Sequence, residues 1–263
     1  MTINQPISLN ELKNKSNWED TYKYAPPFNV EIETDARCNR QCDYCPVAYN
    51  DKRKGKMSLS FFENIAKQLL DIKFNGHLGF HFYNEPLLDD RLEEFILLAR
   101  KYLKESILYV ITNGDLLTPK RAKSLIKAGL DYIRVSVHDE KIEKNINLLL
   151  ENLEIEYSKK IVAYNYYKGE RVMTTRAGTI QIDKSQFQVV SVEGGCVWST
   201  RLVINYDGVI PLCCDDFHAD NAHGDLKKTP LKEIWESSVK KRKHIFNGDF
   251  KLAPCLKCLE NSK

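Results

Sequence analysis

No stretch of the 263 residues approaches the roughly 18 consecutive apolar positions of a membrane-spanning helix. The first 24 residues are polar and lack the apolar core of a secretion signal. Neither sign of charge is in excess. The 39 basic and 36 acidic residues leave a net +3, too little to single out nucleic acid or an anionic membrane as partner. These absences predict a cytoplasmic protein that meets no nucleic acid and no membrane, in a compartment where thiols stay reduced. Cysteine is also missing from the middle of the chain: none of the eight lies between Tyr49 and Gly195. Three stand near the start and five near the end. Such groups, in a reducing compartment, read as metal ligands ahead of disulfides. Apolar residues make up 43% and charged residues 29%, as in an ordinary globular protein of one large domain or one domain plus a small one.

The first group is Cys38, Cys42 and Cys45, spaced C-x3-C-x2-C, just after the alternating apolar and polar run from Phe28 to Thr34. Thiolates are soft ligands, and a tight set of them selects zinc or iron–sulfur. A four-iron cubane is usually held by four cysteines, so three leave one iron open to a small molecule. A structural zinc site wants a fourth ligand. Asp35 and Asp43 are at hand, but neither is a common partner in an otherwise all-thiolate site.

Strands and helices then alternate. Ser60-x-x-Glu63 predicts a capping box opening a helix with Phe62, Ile65, Ala66, Leu69 and Leu70 on one face. Further strands are expected at Leu78–Tyr83, Ile107–Thr112, Tyr132–Val137 and Lys160–Tyr164. Helices are expected from about Asp89 to Leu103, from Thr118-Pro119 to Gly129, and from Ile142 to Leu153. The alternation implies parallel pairing and an α/β fold, with ligands gathered at the carboxyl ends of the strands. Those ends carry the cysteine loop, Tyr83-Asn84-Glu85-Pro86, Thr112-Asn113-Gly114 and Ser136-Val137-His138-Asp139. Alternation within Leu78–Tyr83 turns His81 and Tyr83 inward if Leu78, Phe80 and Phe82 face the helices. Satisfied core or surface histidines are the plainer reading of His81 and His138.

The cysteine spacing and these strand endings, in this order, resemble the radical S-adenosylmethionine (SAM) superfamily over roughly residues 28–165. The resemblance implies a partial (β/α)6 barrel of the TIM type and a [4Fe–4S] cluster on Cys38, Cys42 and Cys45 whose open iron binds SAM. It also implies cofactor contacts at Tyr44, Glu85, Asn113, Ser136 and His138. Tyr83 and Asn84 replace both glycines of the superfamily's G-G-E-P element, which leaves mainly Glu85 to carry over.

The second group is Cys196, Cys213-Cys214 and Cys255-x2-Cys258. By ligand count alone, zinc and an iron–sulfur cluster are equal readings. Asp207-Gly208 between two apolar runs predicts a hairpin. Pro230–Phe246 predicts one amphipathic helix, with the Lys240–Lys243 run as its solvated face. Gly195-Cys196, Asp207-Gly208-Val209-Ile210-Pro211-Leu212-Cys213, His223-Gly224-Asp225 and the closing C-x2-C are similar to the SPASM domain in its shortened "twitch" form. That implies one auxiliary [4Fe–4S] cluster on Cys196, Cys213, Cys255 and Cys258. Cys214 is then either a buried thiol or the true ligand in place of Cys213. The expected division is an N-terminal extension (1–27), the barrel (28–165), a segment completing it (166–195), and a small α+β twitch domain (196–263).

A cluster with every iron ligated by protein exchanges electrons, which points to a net oxidation. Phe80-His81-Phe82-Tyr83-x-Glu85-Pro86, Thr112-Asn113-Gly114-Asp115, His138 and Arg176-x-Gly178 resemble the twitch-bearing dehydrogenases of aminocyclitol pathways, of the 2-deoxy-scyllo-inosamine type. This resemblance implies a secondary alcohol as substrate and places Tyr83 and Arg176 beside it; the alternation along Leu78–Tyr83 points His81 toward it as well. For Arg176 a surface salt bridge is the plainer reading, and with a pKa above about 12 it is a poor base. The resemblance further implies a flavodoxin- or ferredoxin-type electron donor. A ribosomal peptide is the alternative substrate, although 24 N-terminal residues are few for a peptide-recognition domain. A zinc-binding interaction module is the alternative of another class.

Overall fold

A computed structural model describes residues 23–50, 53–167, 172–181, 188–189 and 195–260. The expected extension therefore lies almost wholly outside the described residues. Five strands follow one another: β1 (Asn29–Ile32), β2 (His77–Phe80), β3 (Ile107–Thr112), β4 (Tyr132–Val137) and β5 (Ile161–Asn165). Between them come α1 (Val47–Asn50), α2 (Leu59–Asp71), α3 (Leu92–Tyr102), α4 (Pro119–Lys127), α5 (Glu140–Glu151) and α6 (Ile155–Ser158). Two short strands, β6 (Val172–Met173) and β7 (Gln188–Val189), pair with each other alone. After β8 (Arg201–Ile204) come β9 (Val209–Ile210), β10 (Gly224–Asp225), α7 (Leu231–Ser237), α8 (Val239–Phe246) and α9 (Ala253–Glu260).

The main sheet runs β5-β4-β3-β2-β1-β8, and every pairing in it is parallel. This is the α/β sheet expected of the barrel. Its sixth strand is β8, which the hairpin reading had paired with β9. A tight turn does form, with Gly208 N–H donating to Asn205 O (2.9 Å) and Gly208 at φ 86°. β9 instead pairs antiparallel with β10, the His223-Gly224-Asp225 segment. A Cβ on Gly224 would come within 2.8 Å of Ile234 on α7, so only glycine lets that ribbon lie against the helix.

Period-two alternation splits the sheet. Val30, Ile32, Leu78, Phe80, Leu108, Val110, Ile133, Val135, Leu202 and Ile204 face the helices and form one core with Phe62, Ile65, Leu69, Phe95 and Ile96. The other face carries polar and aromatic side chains: Asn29 and Glu31 on β1, His77 on β2, Tyr109 on β3, Tyr132 on β4 and Arg201 on β8. Tyr109 stacks on Tyr132 with ring centroids 5.0 Å apart.

Local details depart from the sequence reading. The cap of α2 is Ser58, whose side chain accepts from Phe61 N, and not Ser60. β2 stops at Phe80 because Asn84 Oδ1 takes the Phe82 N–H. Phe82 therefore leaves the helix-facing row and packs with Val47, Tyr83 and Phe217. The single helix expected over Pro230–Phe246 breaks at Ser238, whose hydroxyl donates to Trp235 O (2.8 Å) while Arg242 Nη2 donates to the same oxygen (3.0 Å). Arg242, expected on a solvated face, is fully buried, with its guanidinium 3.6 Å from the Trp235 ring. Burial pushes its pKa down to about 9.

Since β8 lies beside β1, the C-terminal segment completes the main core. Ile204→Ala is expected to cost about 2–5 kcal/mol. It should lower one thermal transition common to the whole molecule, followed by far-ultraviolet circular dichroism. An early transition confined to the C-terminal segment would contradict this pairing.

Candidate active site

The loop bearing Cys38, Cys42 and Cys45 leaves β1 and is clamped across the ends of its neighbours. Arg40 grips Asp115 beyond β3 through Nε (2.6 Å) and Nη2 (2.7 Å), and Asp139 beyond β4 through Nη1 (2.9 Å). Asn39 adds bonds to Asp115 (2.9 Å) and from Asn113 (2.8 Å). Hydrogen bonds from Arg40 hold Asp115 below the usual carboxylate range, and Asp139, which also caps α5 through Ile142 N–H, is held below it too. Burial pushes the Cys38 thiol up to about 11 and raises Cys45, opposed by the backbone N–H groups of Arg40 and Val47 respectively. Such N–H···S contacts favour the thiolate, the form that ligates.

The residues proposed around SAM flank this loop. Tyr44 Oη and His138 Nδ1 share a 2.5 Å hydrogen bond, and His138 stacks on Tyr166. Glu85 is buried; Oε1 accepts from Leu87 N (3.1 Å) and Thr112 Oγ1 (2.6 Å), and Oε2 accepts from Asn113 N (2.8 Å). Burial lifts its carboxyl to about 7 against those three bonds. Ser136, also buried, stands on the inner face of β4 in register with Tyr164.

The second group gathers at one place. Cys196, Cys213, Cys255 and Cys258 line a single cavity, with Leu212, Ile245, Phe250 and Asp215 among the residues of its wall. Backbone N–H groups of Trp198, Asp215 and Ala177 point to Cys196, Cys213 and Cys258. Cys214 is outside that lining. Its charged neighbours are Asp215, Glu31, Arg201 and Arg176, on the inner face of the sheet. All eight cysteines are free thiols. Among the described residues no three His, Cys, Asp or Glu side chains converge as a single metal ion requires. A cubane asks for something else, one thiolate on each of several irons. Four thiols around an apolar cavity, three of them met by N–H groups, fit that group.

Between the two thiol sets lie Tyr83, Arg176 and residues not foreseen from the sequence. Tyr83 packs edge-on to Phe217 (4.9 Å) in a cluster that includes Cys38 and Cys45. Arg176 Nη1 pairs with buried Asp215 at 2.8 Å, and its guanidinium carbon is 5.9 Å from the Tyr83 ring. Tyr83 Oη and Arg176 Nε are buried without a hydrogen-bond partner. Arg53 spans Glu33 (2.8 Å), the Tyr83 carbonyl (2.7 Å) and the Phe217 ring (4.6 Å). His81 is on the inner face as expected, but its ring folds over Gly79, with Nε2 3.7 Å from Glu31 and Nδ1 buried without a partner. Burial alone would raise Glu31, but His81 and Arg201 outweigh it and hold the carboxyl at about 2. One signal for Glu31 was present, the alternation of Asn29, Glu31, Glu33 and Asp35 along β1 and the residues after it; for Asp215 and Arg53 there was none.

Two family models match the chain: the Radical SAM superfamily over residues 32–159, and SPASM, an iron–sulfur cluster-binding domain, over residues 196–259. Together they cover most of it. The S-adenosyl-L-methionine-dependent 2-deoxy-scyllo-inosamine dehydrogenase of Niallia circulans is 27% identical over 79% of this chain and 82% of its own. The crystal structure of BtrN in complex with AdoMet and 2-DOIA superposes with a TM-score of 0.76 at 26% identity, covering 87% of this chain and 91% of that one. The PqqA peptide cyclase of Granulibacter bethesdensis is 31% identical over 45% of this chain and 31% of its own. With a Radical SAM match over residues 32–159, a parallel sheet and a SPASM match over residues 196–259, the chain belongs to the radical SAM superfamily.

Proposed function

We propose that this protein is an oxidoreductase that converts a secondary alcohol of a small aminocyclitol- or sugar-like molecule to a ketone. When bound, SAM and its [4Fe–4S] cluster supply a 5′-deoxyadenosyl radical that removes a hydrogen atom, and the auxiliary [4Fe–4S] cluster accepts one electron. Cys38, Cys42 and Cys45 would hold the first cluster, and Cys196, Cys213, Cys255 and Cys258 the second. Tyr44, Glu85, Asn113, Ser136 and His138 would position SAM.

The observation that carries the reading is the pair of buried polar atoms without partners, Tyr83 Oη and Arg176 Nε, between the two thiol sets. Buried polar atoms want partners, and a substrate hydroxyl offers both donor and acceptor. Arg176 binds and orients. Burial opposes its charge, but Tyr83 and Asp215 keep its pKa well above the usual value, so it does not act as base. The carboxylate of Asp215 beside it is the acceptor for the hydroxyl proton. His81 stands further down the inner face, with Nε2 3.7 Å from Glu31. The described residues include no helix long and apolar enough to cross a membrane. A reducing cytoplasm and a flavodoxin- or ferredoxin-type donor suit a chain whose cysteines are all free. The PqqA relative makes a peptide the substrate to test alongside alcohols.

The test is anaerobic reconstitution, then incubation with SAM, a reductant and either aminocyclitol alcohols or candidate peptides. Cys42→Ala is expected to abolish 5′-deoxyadenosine. Cys255→Ala is expected to leave 5′-deoxyadenosine formation in place and to stop ketone formation. Normal product from both variants would overturn the two-cluster reading, and turnover of a peptide alone would overturn the alcohol.

A pH dependence follows from Glu85. A carboxyl raised to about 7 is largely neutral at pH 6 and ionised at pH 8. Its attraction for the SAM ammonium therefore grows as pH rises through 7. Affinity measured by equilibrium dialysis should strengthen over that interval. Glu85→Gln should bind about tenfold or more weakly at pH 8, since a hydrogen bond to a charged group is worth about 1.5–3 kcal/mol. The same slope in the variant would show that Glu85 is not the group responsible.

A further inference from the structure

Arg176, Ala177 and Gly178 are three consecutive residues with positive φ, at 49°, 53° and 77°. Residues with a Cβ adopt this region reluctantly, and such strain persists only where the surroundings hold it. Here they do. Thr179 donates to Arg176 O through N (3.1 Å) and Oγ1 (2.6 Å), Ile180 N donates to Thr175 O (3.2 Å), and Gly178 N donates to Thr175 Oγ1 (3.2 Å). A Cβ at Gly178 would lie 3.1 Å from Lys257, which stands on α9 between Cys255 and Cys258.

The bend accomplishes two things at once. It aims the Ala177 N–H at Cys258, and it returns the Arg176 side chain to Asp215. Asp215 is itself part of the wall of the four-cysteine cavity, and its N–H points to Cys213. The positive end of the pair also touches the first loop, since Arg176 is among the charges acting on Cys45 as well as on Cys214 next to the second set. One ion pair thus abuts the second thiol set with its carboxylate and faces the first with its guanidinium. Net charge and hydrogen bonds at the sulfurs are the main levers on the potential of an iron–sulfur cluster.

We propose that the Arg176–Asp215 ion pair, fixed by the left-handed turn, sets the reduction potential of the auxiliary cluster. Arg176 and Asp215 act here as positioning residues for charge, in addition to any contact with substrate. The proposal rests on the reading that Cys196, Cys213, Cys255 and Cys258 hold one cluster. A fixed negative charge beside a cluster disfavours the added electron, and a positive charge favours it; Asp215 is buried and little screened, while the Arg176 side chain is 34% exposed and screened more.

The test is a redox titration of the anaerobically loaded holoprotein, followed by electron paramagnetic resonance, with iron counted in every sample. Asp215→Asn is expected to raise the auxiliary potential and Arg176→Gln to lower it. Each should change the reduction equilibrium about tenfold, which is about 59 mV for one electron. The double variant should return near the wild-type value, and Arg176→Lys, which keeps the charge, should stay near it. Shifts of the same sign in the two single variants, or no shift at unchanged iron content, would overturn the proposal. If one variant loses iron, the comparison of Arg176→Gln with Arg176→Lys decides. A Cys255→Ala protein that keeps both titrating signals would instead overturn the cluster assignment beneath it.

Discussion

Buried carboxylates need partners, and β1 with the residue that follows it brings two of them. Glu31 and Glu33 are buried, where an unpaired charge is too costly to keep. Arg201 answers Glu31 at 2.9 Å, and Arg53 answers Glu33 at 2.8 Å. Asp35, just beyond the strand, is held by Arg37 (2.6 Å) and Lys56 (3.2 Å). Each partner belongs to a segment with chemistry to do. Arg201 begins β8, five residues after Cys196. Arg53 and Lys56 follow the first cysteine loop, and Arg37 opens it. β1, lying between β2 and β8, therefore fixes both thiol sets to one frame. Burial raises Glu33 while Arg53 opposes that rise, so the pairing is under tension between desolvation and charge.

From that frame the rest of the site follows. Arg40 locks the first loop onto the ends of β3 and β4 through two acids. The second set is assembled from three distant segments, closed by α9, and touched from outside by the turn at Arg176–Gly178. The two sets meet through Tyr83, Phe217 and the Arg176–Asp215 pair. A substrate placed there would lie between a source of hydrogen-atom abstraction and a sink for one electron, which is the order an alcohol oxidation requires. The largely apolar lining around the four thiols strengthens the charges that border it.

Much of this was legible in the sequence because it is local. The C-x3-C-x2-C loop, the strand–helix alternation, the Thr118-Pro119 cap and the glycine at 129 are all short-range signals. The four cysteines that line one cavity come from three distant segments, and the resemblance to the twitch form is what grouped them, with Cys214 open in place of Cys213. What escaped was decided over distance. Nothing near Arg201–Ile204 says that its partner is β1, some 170 residues away; the pairing is set by a buried acid at Glu31. Arg242 reads as one of a run of exposed cations, yet i, i+4 geometry places it under Trp235 and Ser238. Cys213 and Cys214 are equivalent as letters, and only the direction of each side chain separates the cavity from the sheet. Phe82 was misplaced because Asn84, a side chain, ends β2 early.

The central claim is that two clusters coexist and that one alone has an iron open to SAM. The most direct measurement is the electron paramagnetic resonance spectrum of the reduced, oxygen-protected protein with and without SAM. Two [4Fe–4S] signals are expected, one shifting on addition of SAM and the other unmoved. A single signal, or two that both ignore SAM, would contradict the account.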